Sequence, residues 1–369
     1  MRIVYVTNGV SGPGGLERVL SIKANYFAEV MKYDIHILTL NSPLQEFFYE
    51  FSKAITFHNI SAQGNPFSYI LSYSTGIKTA LKKIQPDIVC VCDDGLKGLL
   101  LPLFIGKNYP MIYERHVSKN IEIKKENTNF FEKIKSEFKF KIMNFGGALY
   151  DRFIVLTKGN TNEWPIQNIQ VIPNPLSFYP DNDALSTLHT KRVLAVGKQS
   201  FQKGYDRLLQ SWKIVVDKHP DWVLDIYGTF SEKEALPQLA KKLGIQRHLN
   251  LFVPVKNIAE KYKEAAIYVM SSRYEGFGMV LTEAMAYGVP CVSFDCPYGP
   301  SDIITHNQNG ILVPNNDINS LAIGILTLIE NTEQRKRMGA KSRVTVQRYQ
   351  IEKIAMEWEG LFKSLIRNK

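Results

Sequence analysis

Two carboxylates and a run of backbone N–H groups are brought close together between residues 271 and 290. Glu275 and Glu283 lie eight positions apart, the first in a glycine-containing turn after an apolar strand and the second inside the helix that follows. We expect this helix to begin at about Gly278 and to end at Gly288. The first N–H groups of a helix have no partner within it and can hold an anion, whereas carboxylates suit hydroxyl groups. A ligand with both phosphate and hydroxyl groups, such as a sugar nucleotide, would match this arrangement.

Two lysines flank a turn that follows the first strand of the second half of the chain. Gly197 ends this strand, Lys198 follows it directly, and Lys203 comes shortly afterwards. Two cations at such a turn suit a diphosphate, and they can stabilise a departing nucleotide as negative charge develops on it. The alternative is that both are ordinary surface lysines.

A glycine-rich loop, residues 8–15, joins the first strand to the first helix. Its glycines, Gly14 and Gly15 among them, allow the backbone to approach a ligand closely, and the helix start again offers free N–H groups. The spacing is neither that of a Walker A loop nor that of the G-x-G-x-x-G fingerprint. The loop is therefore a candidate binding loop, with a simple tight turn as the alternative.

Four segments, taken in order and spacing, resemble the retaining glycosyltransferases of family 4, whose signature is E-x7-E. They are Gly14–Arg18, Val196–Gly204, Glu275–Pro290 and Gly310–Val313. The resemblance covers most of the chain. It implies the α/β fold called GT-B, in which two doubly wound Rossmann-like domains face a central cleft.

The resemblance also implies roles for the donor-site residues. Glu275 would contact hydroxyl groups of the donor sugar, and Glu283 would contact the ribose hydroxyls of the nucleotide. Phosphate or sugar oxygens would be held by the backbone N–H groups of Gly276, Phe277, Gly278 and Met279, and the loop with Gly14 and Gly15 would lie near the donor phosphate and the acceptor. Lys203 matches the family's lysine. Lys198 stands where the family usually has arginine. The positive charge is kept, but the bidentate hydrogen bonding of a guanidinium is lost.

His116 is a further candidate, because it directly follows a predicted strand and ligands bind at strand ends in open α/β sheets. In the resembling family a histidine at this place often contacts the donor sugar. A structural histidine is the alternative. Glu114 and Arg115 could pair with each other. Asp93 and Asp94 also follow a strand and could contact an acceptor.

The resembling family uses neither a metal nor another cofactor. Asp181-Asn182-Asp183 has the D-x-D spacing of a different glycosyltransferase fold, but it lies in a predicted linker, so we expect no metal there. The implied reaction is retaining transfer of a hexose or N-acetylhexosamine from a nucleoside diphosphate sugar, with UDP expected, to a growing surface glycan or lipid-linked oligosaccharide. The departing phosphate would help to take the acceptor proton.

Two other functions are alternatives to a glycosyltransferase. A UDP-N-acetylglucosamine 2-epimerase of the same fold would turn over donor without an acceptor, but its acidic and histidine cluster is not evident and the E-x7-E spacing argues against it. A non-catalytic subunit that binds nucleotide sugars is disfavoured because both glutamates and both lysines are present.

Apolar runs alternate with helical patterns in both halves of the chain, which indicates parallel sheets covered on both faces. Strands are predicted at 2–7, 34–40, 54–58, 87–92, 110–114, 152–156 and 169–172, and then near 192–197, 222–227, 249–253, 267–270, 290–294 and 310–313. Helices are predicted at Leu16–Val30, Ser74–Ile84, Gly204–Lys218 and Ser231–Leu243. Residues 173–190 lack periodicity and resemble a linker. We expect an acceptor-binding domain at 1–175, a donor-binding domain at 190–348, and a helix within 349–369 that, in the resembling family, crosses back to the first domain.

Composition limits the partners and the compartment. The chain has 369 residues, 45% of them apolar, and a net charge of +10, which suits an anionic nucleotide, lipid or membrane. Nucleic-acid-binding signatures are missing. The first residues enter a strand without a signal-peptide pattern and no apolar run is long enough to span a bilayer, so we expect a cytoplasmic protein. The four cysteines fit a reduced compartment, as small apolar residues.

One segment, residues 119–143, has a basic amphipathic pattern. Its apolar residues fall at helical spacing, at Phe131, Ile134, Phe138 and Ile142, among Lys133, Lys135, Lys139 and Lys141. Such a helix can lie in a membrane interface, on the cytoplasmic face of the inner membrane in this case. A core helix is the alternative.

Overall fold

The computed structural model of the protein describes residues 1–42, 47–122 and 130–367. The chain divides into two compact units. Unit 1 comprises Met1–Ser177 together with Ile351–Lys369, and unit 2 comprises Phe178–Gln350.

Unit 1 is built on a seven-stranded parallel sheet with the order β3-β2-β1-β4-β5-β6-β7. The strands are β1 (Arg2–Thr7), β2 (Asp34–Leu40), β3 (Thr56–Ile60), β4 (Ile88–Cys92), β5 (Met111–Glu114), β6 (Arg152–Val155) and β7 (Ile169–Val171). In the centre, Tyr5 of β1 pairs in register with Ile37 of β2 and with Cys90 of β4. The central strands are buried on both faces, as continuous apolar strands of a parallel sheet should be.

The helices between the strands of unit 1 are α1 (Gly15–Glu29), α2 (Pro66–Ile84), α3 (Leu96–Leu99), α4 (Leu101–Ile105) and α5 (Phe130–Ala148). Helices α2 to α5 share one apolar core with the sheet, to which they contribute Ile77, Leu99, Leu101 and Met143, for example. Strand side chains alternate between the two faces. Residues on the opposite face of the sheet therefore point toward another layer, which includes α1.

Helix α2 begins eight residues earlier than the predicted start at Ser74. Asn65 caps the helix, because its side-chain oxygen accepts a hydrogen bond from the Ser68 N–H at 2.9 Å, and Pro66 occupies the first helical position. Both are standard start signals. The first turns were missed because they leave Phe67 and Leu71 exposed, which interrupts the apolar periodicity.

Unit 2 is built on a six-stranded parallel sheet with the order β10-β9-β8-β11-β12-β13. The strands are β8 (Arg192–Val196), β9 (Val223–Tyr227), β10 (Leu249–Phe252), β11 (Ile267–Met270), β12 (Cys291–Asp295) and β13 (Gly310–Pro314). The helices are α6 (Tyr205–Lys218), α7 (Leu236–Leu243), α8 (Ala259–Glu264), α9 (Met279–Ala286), α10 (Pro300–Ile303), α11 (Ile318–Glu330) and α12 (Thr332–Val346). Helix α7 is shorter than predicted, since the residues before it form only a 3₁₀ turn at Glu232–Glu234.

The last helix, α13 (Ile351–Arg367), belongs to unit 1 and packs against α1. Its apolar stripe includes Trp358 and Phe362, and the Phe362 ring lies 5.7 Å from the ring of Phe27 on α1. Tyr33 donates a hydrogen bond to Glu359 at 2.7 Å. The two parallel sheets with helices on their faces confirm the predicted doubly wound α/β class. Within the described residues, no helix combines the length and the apolar character needed to cross a bilayer.

Asn65→Ala should loosen the first turn of α2, because the Ser68 N–H loses its side-chain acceptor. The expected cost is about 1 kcal/mol of local stability. Hydrogen–deuterium exchange of peptides that cover α2 measures this loss directly. Gln63→Ala is the matched control, since it shortens an exposed neighbouring side chain outside the cap. Equal exchange in the two variants would contradict the capping role.

Candidate functional site

The turn between β11 and α9 forms the centre of the candidate site in unit 2. Helix α9 begins at Met279, directly after Gly278, and ends before Gly288. Both glycines have positive φ, +99° and +72°, a conformation that favours glycine. The predicted helix limits are thus confirmed. Phe277 is buried against Tyr349, with the two rings 5.2 Å apart, and this contact anchors the turn.

Glu275 lies buried in this turn and is neutralised by Lys203. The Lys203 Nζ lies 2.6 Å from Glu275 Oε1, and the Ser272 hydroxyl donates to the same oxygen at 2.6 Å. Among the described residues, none donates a hydrogen bond to the other oxygen, Oε2. The Glu275 side chain is 8% exposed and that of Lys203 is 19% exposed, so solvent reaches the lysine more easily. Lys203 and Ser272 thus both engage Oε1, and Oε2 is left for a ligand.

Hydrogen bonds to backbone carbonyls hold the loop that carries Lys203 against the loop that carries Glu275. The Ser271 hydroxyl donates to the Lys203 carbonyl at 2.9 Å, and the Arg273 N–H donates to the Gln202 carbonyl at 2.7 Å. Gly204 follows Lys203 with φ +61°, and a Cβ there would lie 2.3 Å from the Ser271 carbonyl oxygen. This position therefore requires glycine.

Arg273 reinforces the same junction, a role that its place in the sequence does not indicate. Its guanidinium makes two hydrogen bonds to Asp206, of 2.9 and 2.8 Å, and lies 4.0 Å from the centre of the Phe201 ring. Burial alone would raise the pKa of Asp206, but the Arg273 hydrogen bonds and charge outweigh burial and lower that pKa. This bidentate pair fixes the start of α6 to the Glu275 turn. The spacing of the neighbouring motif residues gives no signal for this arginine, because its partner Asp206 lies 67 positions away.

Lys198 does not join the Glu275–Lys203 pair. Its side chain is exposed, and no carboxylate in the described part of the chain lies within salt-bridge distance of it. Gly197 anchors this loop instead, because its N–H donates to the Tyr227 carbonyl at 2.9 Å. The structure thus brings Lys203 to Glu275 but leaves Lys198 on the surface of the neighbouring loop.

Glu283 is buried inside unit 2 and is 1% exposed. The hydroxyl of the fully buried Tyr262, on α8, donates to Glu283 Oε2 at 2.9 Å. The expectation of a buried and partnered carboxylate is confirmed, and a solvated helix position is wrong. The sequence pattern gave no indication of Tyr262 as its partner.

In unit 1, the glycine loop leads from β1 into α1, with Gly14 as the capping residue. A Cβ on Gly14 would lie 2.3 Å from Glu17 Oε2, so the Glu17 carboxylate already lies against the helix start, while a Cβ on Gly15 would meet no atom within 4 Å. A carboxylate in the first turn stabilises the helix. Any phosphate at Gly14 would have to be accommodated beside that negative charge.

At the end of β5, Glu114 points into the interior of unit 1 and forms an ion pair with Lys23 of α1. His116 Nε2 lies 3.4 Å from the same oxygen, Glu114 Oε2. The prediction that Glu114 pairs with Arg115 is wrong, because consecutive strand residues point to opposite faces. Arg115 instead lies 3.6 Å from Asp94 Oδ1 and donates to the Asp94 carbonyl at 2.6 Å.

Asp93 and Asp94, the acidic candidates that follow β4, differ in exposure. Asp93 is buried, and its Oδ1 accepts hydrogen bonds from Asn8 and from the Gly95 N–H, at 3.0 and 2.8 Å. Asp94 is half-buried and accepts from the His116 N–H at 3.2 Å. Asp94 is thus the better placed of the two to meet a ligand.

One group of potential metal ligands occurs among the described residues, and it combines Cys92, Glu114 and His116. Lys23 already places an ammonium on the Glu114 oxygen that faces His116, so the positive charge that a metal would bring is present. Burial raises the pKa of the Cys92 thiol, which disfavours a thiolate ligand. These residues fit a metal poorly. Asp181 and Asp183 are exposed and do not belong to the group.

Solved structures with the same fold cover the whole chain. A sucrose-phosphate synthase from Thermosynechococcus elongatus has a TM-score of 0.85 at 18% identity and covers 100% of both chains. A variant of S. aureus TarM, in complex with fondaparinux, alpha-GlcNAc-glycerol and UDP, has a TM-score of 0.79 at 18% identity and covers 98% of this chain and 99% of its own. Together with the two parallel sheets, these similarities confirm the GT-B fold.

Sequence comparisons narrow this class further. Residues 17–144 match the family model "Glycosyl transferase 4-like", and residues 183–345 match "Glycosyl transferases group 1". An uncharacterized glycosyltransferase of Haemophilus influenzae is 30% identical over 98% of this chain and 99% of its own length. The amylovoran biosynthesis glycosyltransferase AmsD of Erwinia amylovora is 28% identical, with the same two coverages. A lipopolysaccharide 1,6-galactosyltransferase of Salmonella typhimurium is 27% identical over 85% of each chain. The protein belongs to the glycosyltransferases of these families.

Proposed function

We propose that the protein is a retaining, metal-independent glycosyltransferase that moves a hexose or N-acetylhexosamine from a UDP-sugar to a growing surface glycan. The observation that carries this proposal is the buried Glu275, paired with Lys203 beside the start of α9. The relatives named for amylovoran and lipopolysaccharide synthesis support a surface glycan as acceptor. The UDP bound to TarM supports UDP as the nucleotide.

The donor would be bound by exchange of the Lys203 ion pair. In the free protein the Lys203 ammonium neutralises Glu275. A diphosphate bound at the backbone N–H groups of Gly276–Met279 would attract this ammonium, and hydroxyl groups of the sugar would donate to Glu275 in its place. Lys203 and the helix start would then stabilise the negative charge that develops on the departing diphosphate. The acceptor would attack on the face that the diphosphate leaves, and a phosphate oxygen would take its proton.

The other candidate residues have supporting roles in this proposal. Glu283 holds the ribose hydroxyls, and its hydrogen bond from Tyr262 fixes the carboxylate in place. His116 would contact a hydroxyl of the donor sugar, and the loop with Gly14 and Gly15 would bind the donor phosphate or the acceptor. Lys198 contributes charge from the surface of its loop and is therefore expected to matter less than Lys203.

Glu275→Gln should reduce sugar transfer strongly while leaving the fold intact, because the amide cannot offer a charged acceptor to the sugar hydroxyls. A lost charged hydrogen bond in such a site corresponds to about 2–4 kcal/mol in kcat/KM. UDP-sugar turnover is measured with membrane lipid extract as acceptor. Glu333→Gln, an 86% exposed carboxylate on α12, is the matched control. Near-normal transfer by Glu275→Gln at saturating donor would contradict the assigned role.

Transfer should survive treatment with EDTA, because Lys203 and the N–H groups of α9 already supply positive potential to the diphosphate. The rate is compared before and after dialysis against EDTA, and again after addition of Mg²⁺ or Mn²⁺. A rate that collapses with EDTA and returns with the metal would contradict a metal-independent mechanism.

We further propose that α5 docks on an anionic membrane, which would give access to lipid-linked acceptors. Ile134, Phe138 and Phe145 are 49%, 67% and 56% exposed, and Lys141 lies on the same helical face. The exposed apolar stripe of α5 differs from the predicted one at one position. Ile142 is half-buried, beside the buried Met143, and the exposed Phe145 takes its place. Phe131 and Lys133 were also predicted to contribute, but their side chains lie outside the described residues.

Phe138→Ser combined with Phe145→Ser should weaken binding to vesicles that contain anionic lipid, because two exposed aromatic rings are lost from the docking face. Binding of the unaltered protein should also weaken with salt, since surface charges are screened over about 10 Å at 0.1 M. Vesicle sedimentation measures both effects. Val344→Ser, at a 60% exposed position of α12, serves as control. Unchanged sedimentation of the double variant would show that α5 does not dock.

A further inference from the structure

We propose that Lys23 and Glu114 are positioning residues that fix His116 as its Nε2–H tautomer, with Nδ1 turned into a hydrogen-bond acceptor for a substrate hydroxyl. The tautomer is a property of the free protein. The use of Nδ1 rests on the proposed function, in which His116 contacts the donor sugar.

Lys23 is the unusual member of this cluster, because it is a fully buried lysine. It lies on the apolar face of α1, between Leu20 and Phe27, and its side chain is 2% exposed. Its Nζ contacts Glu114 Oε2 and lies 4.1 Å from the centre of the Trp358 ring of α13. A buried ammonium is costly unless it is paired and hydrogen-bonded. The carboxylate and the face of the tryptophan provide this compensation.

Glu114 is correspondingly held in its charged form. Burial alone would raise its pKa, but the charges and hydrogen bonds of Lys23 and His116 outweigh burial and lower the pKa to about 2. A carboxylate accepts hydrogen bonds and donates none. The ring nitrogen of His116 that faces it, Nε2 at 3.4 Å, must therefore carry a proton.

The other ring nitrogen is the one left for a ligand. His116 Nδ1 is buried and has no hydrogen-bond partner among the described residues. In a neutral ring with the proton on Nε2, Nδ1 is an acceptor. A buried acceptor without a donor is unfavourable, and a hydroxyl group would satisfy it. His116 follows β5 by two residues, at the carboxyl edge of the sheet, where ligands of such sheets bind.

The test begins with the tautomer in the free protein. Histidine ¹⁵N shifts are recorded over a pH series into the alkaline range, and His116→Ala identifies the His116 signals among the seven histidines. Lys23→Met combined with Glu114→Met removes both charges together, which a fold tolerates better than the loss of one partner. The neutral ring should be the Nε2–H tautomer in the unaltered protein and should shift toward a mixture in the double variant. The same tautomer population in both proteins would overturn the proposal.

Measurements of kcat/KM then distinguish a positioning role of Lys23 and Glu114 from a purely structural one. His116→Ala and the double variant should each lower kcat/KM for the donor by about tenfold. The triple variant should lower kcat/KM by less than about a further twofold relative to His116→Ala, because all three substitutions act through the His116 ring. Fully multiplicative losses would overturn the positioning role, since they indicate independent structural damage. If His116→Ala leaves transfer unchanged, the sugar contact in the proposed function fails, and the tautomer measurement still decides the role of Lys23 and Glu114. Lys78→Met, an exposed lysine of α2, is the control.

Discussion

One buried carboxylate in each unit of this protein is neutralised by a lysine, and the geometry of both candidate sites depends on these two ion pairs. In unit 2, Lys203 neutralises Glu275, and in unit 1, Lys23 neutralises Glu114. The two pairs differ in accessibility. The Lys203 side chain is 19% exposed and can move to another anion. The Lys23 side chain is 2% exposed and is therefore shielded from any anion in solution. One pair is suited to exchange with a ligand, and the other is suited to hold a neighbouring group in place.

The surrounding structure serves the geometry of these pairs. In unit 2, Arg273 fixes the Glu275 turn to the start of α6 through Asp206. Gly204 allows the two loops to approach to a distance that no side chain would permit. In unit 1, the packing of α13 on α1 places the Trp358 ring over Lys23. The C-terminal helix therefore contacts Lys23, the ion-pair partner of the carboxylate that faces His116.

Strand positions and the limits of α9 could be predicted from the sequence, because continuous apolar runs and flanking glycines are local signals. The start of α2 was missed, since Asn65 and Pro66 precede turns that expose apolar side chains. Long-range partners were beyond any spacing argument. Lys23 and Glu114 lie 91 positions apart, and Lys203 and Glu275 lie 72 apart. A lysine on the apolar face of α1 was the one available signal for the first pair, and it indicated a buried partner without identifying it.

The Glu275–Lys203 pair also bears on ligand selectivity. A ligand with phosphates alone would draw Lys203 away and leave Glu275 as a buried carboxylate without its cation, which is unfavourable. A ligand with hydroxyl groups alone could reach the free oxygen of Glu275 but would gain nothing from Lys203 or from the helix start. Only a molecule that offers an anion and hydroxyl groups at the proper separation compensates both partners at once. Because an unpaired buried group costs more than a formed hydrogen bond gains, the pair would discriminate mainly by penalising incomplete ligands. This requirement for both groups is what a sugar nucleotide fulfils.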